Sequence, residues 1–243
     1  MHSPLEIARN FVEIGIHKVK LSAWKMLILG FFAGMFIGFA GIASTTASAT
    51  IASASVARLV SACVFPAGMA MVLVAGSELF TGNNLIIISV LQKKATVAGM
   101  LKNWFFVFLG NFIGAGFVAV MVVYSHVPDL YNGLLAQKVV AAAMSRINQS
   151  FSEAFMRGVL CNILVCIAVL MATAARDIAG KVWAIFFPIC AFVVGGWEHC
   201  VANMFYIPAG IIAATNDTYV AKAEELYGIT AAQISASVNV GGF

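Results

Sequence analysis

The chain has 243 residues, of which 62% are hydrophobic and 10% are charged, and its formal net charge is +4. Soluble domains carry about 25% charged residues, so this composition excludes an ordinary soluble protein. The small, scattered excess of basic residues also gives no surface suited to nucleic acid. The five cysteines lie in apolar stretches without a C-x-x-C pair, so neither disulfides nor a zinc site is predicted, and no cofactor is expected.

The N-terminal residues 1–25 predict a short amphipathic helix. Ser3-Pro4-Leu5-Glu6 has the pattern of an N-cap, a proline in the first turn and a capping-box glutamate, and apolar residues follow at helical spacing. Such a helix is expected to lie on the cytoplasmic membrane surface, either as a simple anchor or with a part in gating.

Long uncharged stretches follow, beginning at Met26. Because about 20 apolar residues cross a bilayer as a helix, the chain is predicted to be a multi-pass membrane protein. The first stretch comes after a charged segment, which argues against a cleaved signal peptide. The predicted spans are 26–45, 59–91, 103–124, 158–175 and 182–214.

The second and fifth spans are too long for one straight crossing and contain matching motifs. Residues 65–83 and 187–203 each carry F-P, then G-x-E, then an asparagine five residues after the glutamate. Paired, interrupted apolar segments point to a transporter site near the middle of the membrane. Half-helix N-termini there favour an anion.

Basic residues and glycines indicate orientation and packing. Nine Lys and Arg residues are predicted to lie on the same side of the membrane as the N-terminus and five on the opposite side, which predicts a cytoplasmic N-terminus. Gly30, Gly34 and Gly38 recur every fourth residue in the first span, as do Gly110 and Gly114 in the third, so close helix packing is expected.

Four segments together resemble the formate/nitrite transporter family over roughly residues 30–210: G-S-E-L-F-T-G-N, K-N-W-F-F-V-F-L-G-N-F-I-G-A, C-N-I-L-V-C and G-W-E-H-C-V-A-N-M-F. The resemblance implies an all-α membrane protein, an aquaporin-like bundle with an inverted repeat and two broken helices. It also implies a homopentamer in which each protomer has its own pore for small monovalent anions. Members carry formate, nitrite or hydrosulfide, and some carry lactate.

The resemblance divides the chain into the N-terminal helix 1–25, a transmembrane channel domain 26–214, and a polar tail 215–243. The family has six spans, so a sixth span is expected after this tail. The implied location is the bacterial inner membrane.

The resemblance also assigns site residues. The pore histidine falls on His199, and the pore threonine and asparagine on Thr81 and Asn162. A periplasmic constriction falls on Leu79 and Phe192, and a cytoplasmic constriction on Phe65 and Met69.

These assignments agree with simple chemistry. An anion between two apolar rings has lost its hydration and needs hydrogen-bond donors. His199 can donate a hydrogen bond or a proton, because the reference pKa of histidine, about 6.5, is near physiological pH. Thr81 and Asn162 add donors without charge. Protonation at His199 would let a weak-acid anion cross as a neutral species.

Structural roles are predicted for most of the remaining polar residues. Glu78 and Glu198 would repel an anion, so they are predicted to hold the loop backbones or to orient His199. Asn203 and Asn111 are expected to make interhelical hydrogen bonds. Arg146 and Arg157 either steer anions at the outer mouth or only set the topology.

The predicted function is transport of a small monovalent anion, formate first, with hydrosulfide or nitrite as alternatives and protons as a partner. A second class is an aquaporin-like pore for neutral solutes. A third is an intramembrane enzyme using Glu78, Glu198 and His199, but the other three histidines, His2, His17 and His126, lie outside the spans.

Overall fold

The computed structural model describes residues 1–227 and 230–238, and all regular structure within them is helical. The α-helices are α1 Pro4–Lys20, α2 Ala23–Ser48, α3 Ala54–Val64, α4 Pro66–Ala75, α5 Phe80–Asn83, α6 Ile86–Leu91, α7 Val97–Tyr124, α8 Leu134–Ile147, α9 Phe151–Ala174, α10 Ile178–Gly195, α11 Cys200–Ala213, α12 Asp217–Tyr227 and α13 Ala231–Ser237. A 3-10 turn, Val127–Asp129, precedes α8.

Within the described residues, five segments are long and apolar enough to cross a membrane, as predicted. They are Ala23–Ser48, Ala54–Ala75, Val97–Tyr124, Phe151–Ala174 and Ile178–Gly195. Two shorter apolar segments, Phe80–Leu91 and Cys200–Ala213, follow the second and fifth of these. The second and fifth predicted spans are therefore both interrupted.

The two interruptions have the same construction. Gly76 is the C-cap of α4 and Gly196 is the C-cap of α10, with φ values of 74° and 72°. Glycine adopts this left-handed conformation without steric cost, and it lets the chain leave the helix. The N–H two residues after the last helical residue then bonds back into the helix, from Ser77 to Val72 O and from Trp197 to Phe192 O. Each new helix begins four residues after its glycine.

Helix α1 packs against the bundle. Its capping box forms as predicted, because the Ser3 N–H donates to Glu6 Oε2 at 2.6 Å and the Glu6 N–H donates to Ser3 Oγ at 3.4 Å. Phe11 and Gly15 are buried, and Gly15 lies against Ser89 and Ile86 of α6.

Helices α2 and α7 make the most extensive helix–helix contact of the bundle. A Cβ atom on Gly34 would overlap Asn111 O, and one on Gly114 would overlap Phe31 O. The two backbones are thus in contact at glycines, whose side chain is only a hydrogen atom. The expected close packing at these glycines is confirmed.

The last part of the chain packs on α8. Helix α8, which no sequence pattern predicted, contacts α11, and both α12 and α13 contact α8. The Tyr219 hydroxyl donates to Asp129 Oδ1 at 2.6 Å. The predicted polar tail therefore contains two helices, while 228–229, 239–243 and the expected sixth span lie outside the described residues.

Candidate functional site

A hydrogen bond between His199 and Thr81 joins the two interruptions. His199 Nε2 and Thr81 Oγ1 are 3.0 Å apart, and both residues are buried. Thr81 lies in the first turn of α5, and His199 is the N-cap of α11. Side chains 118 residues apart in sequence thus meet within the apolar part of the bundle.

The backbone fixes the tautomer of His199. The Ala202 N–H donates to His199 Nδ1 at 3.1 Å, so Nδ1 carries a lone pair. In the neutral ring the hydrogen is then on Nε2, which donates to Thr81 Oγ1. The Thr81 hydroxyl hydrogen remains free to be donated elsewhere. The N-terminus of α11, which is the positive end of its helix dipole, lies at His199.

Each interruption also carries a glutamate held by a cation and an amide. Glu78 Oε1 is 2.7 Å from Lys18 Nζ, and Glu78 Oε2 accepts from Asn83 at 2.7 Å. In the other interruption, Glu198 Oε2 accepts from Asn203 Nδ2 at 3.0 Å and is 3.5 Å from Arg146 Nε.

Neighbouring side chains complete these two clusters. Asn103 accepts from Asn83 Nδ2 at 2.8 Å, and Gln149 donates to Glu198 Oε1 at 2.9 Å. Among the hydrogen bonds of residues 1–227 and 230–238, neither glutamate bonds to the His199 ring. The ring is oriented instead by Ala202 and Thr81.

Asn111 of α7 ties three backbone segments together. Its Nδ2 donates to Gly30 O at 2.8 Å and to Glu78 O at 2.9 Å, and its Oδ1 accepts from Phe80 N at 2.9 Å. The side chain thus joins α2, the first interruption and the start of α5. This agrees with the expected interhelical role.

Two cavities approach the site from opposite ends. The α8-side cavity has a volume of about 780 Å³ and is lined by Phe65, Phe192 and His199 together with residues of α8. The α1-side cavity, of about 450 Å³, is lined by Met69 and Leu79 together with residues of α1.

The four predicted constriction residues are buried but are paired differently from the prediction. Leu79 was matched with Phe192, and Phe65 with Met69. In the structure Phe65 packs edge to face on Phe192, with ring centroids 5.8 Å apart, in the α8-side cavity. Met69 and Leu79 both face the α1-side cavity.

The physical reason is the path of the helices. Met69 lies one turn beyond Phe65, about 6 Å further along the axis, and α10 crosses α3 and α4 so that Phe192 reaches Phe65. The structure therefore groups Phe65 with Phe192 and Met69 with Leu79, and all four residues line the two cavities.

Asn162 lies near the pair without bonding to it. Its Nδ2 donates to Cys166 Sγ at 3.6 Å, and among the described residues its buried Oδ1 has no partner. It lines a third cavity of about 630 Å³, along α9, with Thr81 and His199.

The α8-side cavity is basic. Arg58, Lys138, Arg146 and Arg157 line it, and Glu198 is the acidic residue among its lining side chains in the described part of the chain. Arg146 is held by Asn203 at 2.9 Å and lies 4.2 Å from the Tyr206 ring centroid. Anions approaching from this side meet a positive potential.

Several supporting residues were not foreseen from sequence. Lys18, Asn103 and Gln149 bond to the motif residues from α1, α7 and the turn after α8. Lys18 lies on the polar side of a predicted surface helix, and α8 has no span-like pattern. The only available signal was the repeated glutamate, since a buried carboxylate needs a cation.

Comparison with known proteins identifies one family over most of the chain. Residues 5–241 match the formate/nitrite transporter family. A probable formate transporter of Methanothermobacter thermautotrophicus is 38% identical, with 86% of this chain and 83% of that protein covered. The formate channel FocA of Haemophilus influenzae is 36% identical, with 87% and 75% covered.

Solved structures agree with these relatives. A pentameric formate channel with formate bound superimposes with a TM-score of 0.79 at 29% identity, covering 91% of this chain and 86% of that one. A second solved structure, an FNT family ion channel, has the same fold at 24% identity, and the match covers 98% of this chain and 94% of that one. This chain is therefore a multi-pass membrane transporter, not an enzyme, and it belongs to the formate/nitrite transporter family.

Proposed function

We propose that the chain forms a channel for small monovalent anions, with formate as the first substrate, and that the anion passes between the two cavities at His199 and Thr81. The observation that carries the proposal is the buried 3.0 Å contact of His199 Nε2 with Thr81 Oγ1 between two broken helices. Relatives named as formate channels or transporters support formate over other anions.

The pair supplies what a dehydrated anion needs. Nε2–H donates to the threonine oxygen, and the threonine hydroxyl hydrogen is available to an anion oxygen. The α11 N-terminus adds positive potential without an ionised group. Because Nδ1 accepts from Ala202, a cationic ring would lose the cap of α11, so the resting ring is neutral. In the coupled mode the ring first takes up a proton at Nδ1 and gives up its bond to Ala202. The Nε2 hydrogen then passes to the Thr81 oxygen as the hydroxyl hydrogen passes to the weak-acid anion, which leaves the ring neutral.

The apolar pairs make the site selective for small solutes. We assign Phe65 and Phe192 to one constriction and Met69 and Leu79 to the other, with His199 and Thr81 between them. Ions that are large or strongly hydrated would have to lose water without compensation at these rings. Asn162 Oδ1, which lacks a partner in the described residues, is assigned to the third cavity beside the pair.

The two interruptions support an inverted repeat. Both have a glycine C-cap, a glutamate bonded to an asparagine five residues on, and a cation from a separate helix. With α1 cytoplasmic, the α8-side cavity is periplasmic. The chain is proposed to lie in the bacterial inner membrane as a homopentamer like its structural neighbour.

The test is a comparison of anions in proteoliposomes. Purified protein is loaded with formate, nitrite or hydrosulfide, and efflux is followed at two pH values against empty liposomes. Formate efflux is expected to exceed both others. Faster nitrite or hydrosulfide efflux assigns the pore to that anion, and no efflux of any anion contradicts the proposal.

The same liposomes test the alternative that the chain forms a pore for neutral solutes. Stopped-flow shrinkage in glycerol and in water is expected to match empty liposomes, because the basic α8-side cavity favours anions. Rapid glycerol entry without anion flux would support the aquaporin-like alternative instead.

A further inference from the structure

Two cysteines meet on the outer seam between α3 and α10. The Cys190 thiol donates to Ala62 O at 2.9 Å, which brings its sulfur against the peptide bond between Ala62 and Cys63. The two cysteines therefore lie beside each other where α10 packs on α3.

The pair is accessible and lies away from the cavities. Cys63 is exposed and Cys190 is partly exposed, and neither lines any of the three cavities described. Residues two apart on a helix point about 200° away from each other. Cys63 and Cys190 each precede a residue of the aromatic pair, Phe65 or Phe192, by two positions, so the thiols lie behind that pair.

We propose that Cys63 and Cys190 form a dithiol modification site, which a two-electron thiol oxidant converts into a disulfide that ties α3 to α10 behind the Phe65–Phe192 pair. Both S–H bonds break and one S–S bond forms. With an azodicarboxamide as oxidant, the two electrons and two protons reduce its N=N bond to HN–NH.

The cross-link acts on the aromatic pair through the helices. Phe65 lies at the junction of α3 and α4, Phe192 lies on α10, and their rings are 5.8 Å apart. A disulfide two residues away fixes the separation of the two backbones at this level. Passage that requires the rings to move apart then becomes slower, an effect that rests on the proposed function.

The test uses the full chain in liposomes, treated with diamide and then freed of reagent. Tryptic fragments 59–93 and 182–222 are expected to appear joined under non-reducing conditions. Formate efflux is expected to fall to a small part of its untreated value and to return with dithiothreitol. C63A and C190A should show neither change, and C190A also excludes Cys200, which lies in the same fragment.

Four results would count against the proposal. Absence of the joined fragments overturns the dithiol site, and so does a cross-link between subunits on a non-reducing gel. Full efflux from cross-linked protein overturns its effect on the constriction, as does an equal loss in C63A. If untreated protein carries no anion, the proposed function fails, while the fragment analysis still decides whether the dithiol reacts.

Discussion

Both ring nitrogens of His199 are engaged within the protein, and this links the fold to the proposed chemistry. Nδ1 caps α11 through Ala202, and Nε2 contacts Thr81. A change at this residue therefore affects both helix stability and the site. Asparagine separates the two effects, because its side chain is a good N-cap but has no titratable ring.

We expect His199→Asn to keep its thermal stability and anion flux but to lose proton coupling and the pH dependence of that flux. The measurement is formate efflux at two pH values with an internal pH dye, beside a melting curve. If flux, proton coupling and pH dependence were all unchanged, His199 would have no part in transport.

Thr81 provides the matched test of the donor. We expect Thr81→Val, which keeps the shape but removes the hydroxyl, to lower formate flux by about ten- to a hundredfold, because a hydrogen bond to a charged group contributes about 1.5–3 kcal/mol. Thr81→Ser should retain most of the flux. Equal loss in both variants would point to packing against the α9 side rather than to the hydroxyl.

The capping box of α1 gives a prediction at acidic pH. The hydrogen bond from the Ser3 backbone N–H, followed by that with the Ser3 side chain, lowers the pKa of Glu6 below its ordinary value. A group with a lowered pKa stabilises the folded helix above its unfolded pKa, and this contribution is lost as the pH falls through the folded pKa.

The first turn of α1 is therefore expected to open in acid, and hydrogen exchange of residues 4–10 measures this. Glu6→Gln keeps an acceptor but cannot titrate, so comparing both proteins at the same pH cancels the chemical dependence of exchange. The difference should disappear in acid. A transition near neutral pH would point to His2, which also acts on Glu6.

At the scale of whole helices, the α2–α7 contact depends on missing side chains. A methyl on Gly114 would overlap Phe31 O, whereas one on Gly116 of the same helix meets nothing within 4 Å. We expect Gly114→Ala to lower stability by about 1–3 kcal/mol through overpacking. Gly116→Ala should leave stability equal or slightly higher, because alanine is the better helix former. Thermal unfolding in detergent compares them, and equal melting temperatures would contradict tight packing at Gly114.

The broken helices could be predicted from sequence, but the way they meet could not. F-P, G-x-E and the spaced asparagine mark both interruptions, and charge-free runs mark the five spans. The pairing of Phe65 with Phe192 depends on where α10 crosses α3, which no local pattern reports. Helix α8 was missed because Gln137, Lys138 and Arg146 interrupt its apolar face and its 14 residues are too few for a span.

At the scale of the molecule, the two half-chains hold their glutamates in the same way while using different donors. Lys18 comes from the N-terminal helix, and Arg146 comes from a helix between two spans. The repeat thus preserves the need of a buried carboxylate for a cation rather than the identity of that cation. The site between the halves is completed by residues of one chain.

That completeness predicts how an assembly would behave. Both cavities, the two proposed constriction pairs and the His199–Thr81 contact lie within a single chain. In a homopentamer like the structural neighbour, each protomer would conduct alone. Mixing wild-type and Thr81→Val subunits is therefore expected to lower formate flux in proportion to the variant fraction. A pore shared by all subunits would require every one to be intact, so flux would fall with the fifth power of the wild-type fraction. Native mass spectrometry of the mixed assemblies gives that fraction, and a steep fall would show that transport depends on the assembly rather than on the protomer.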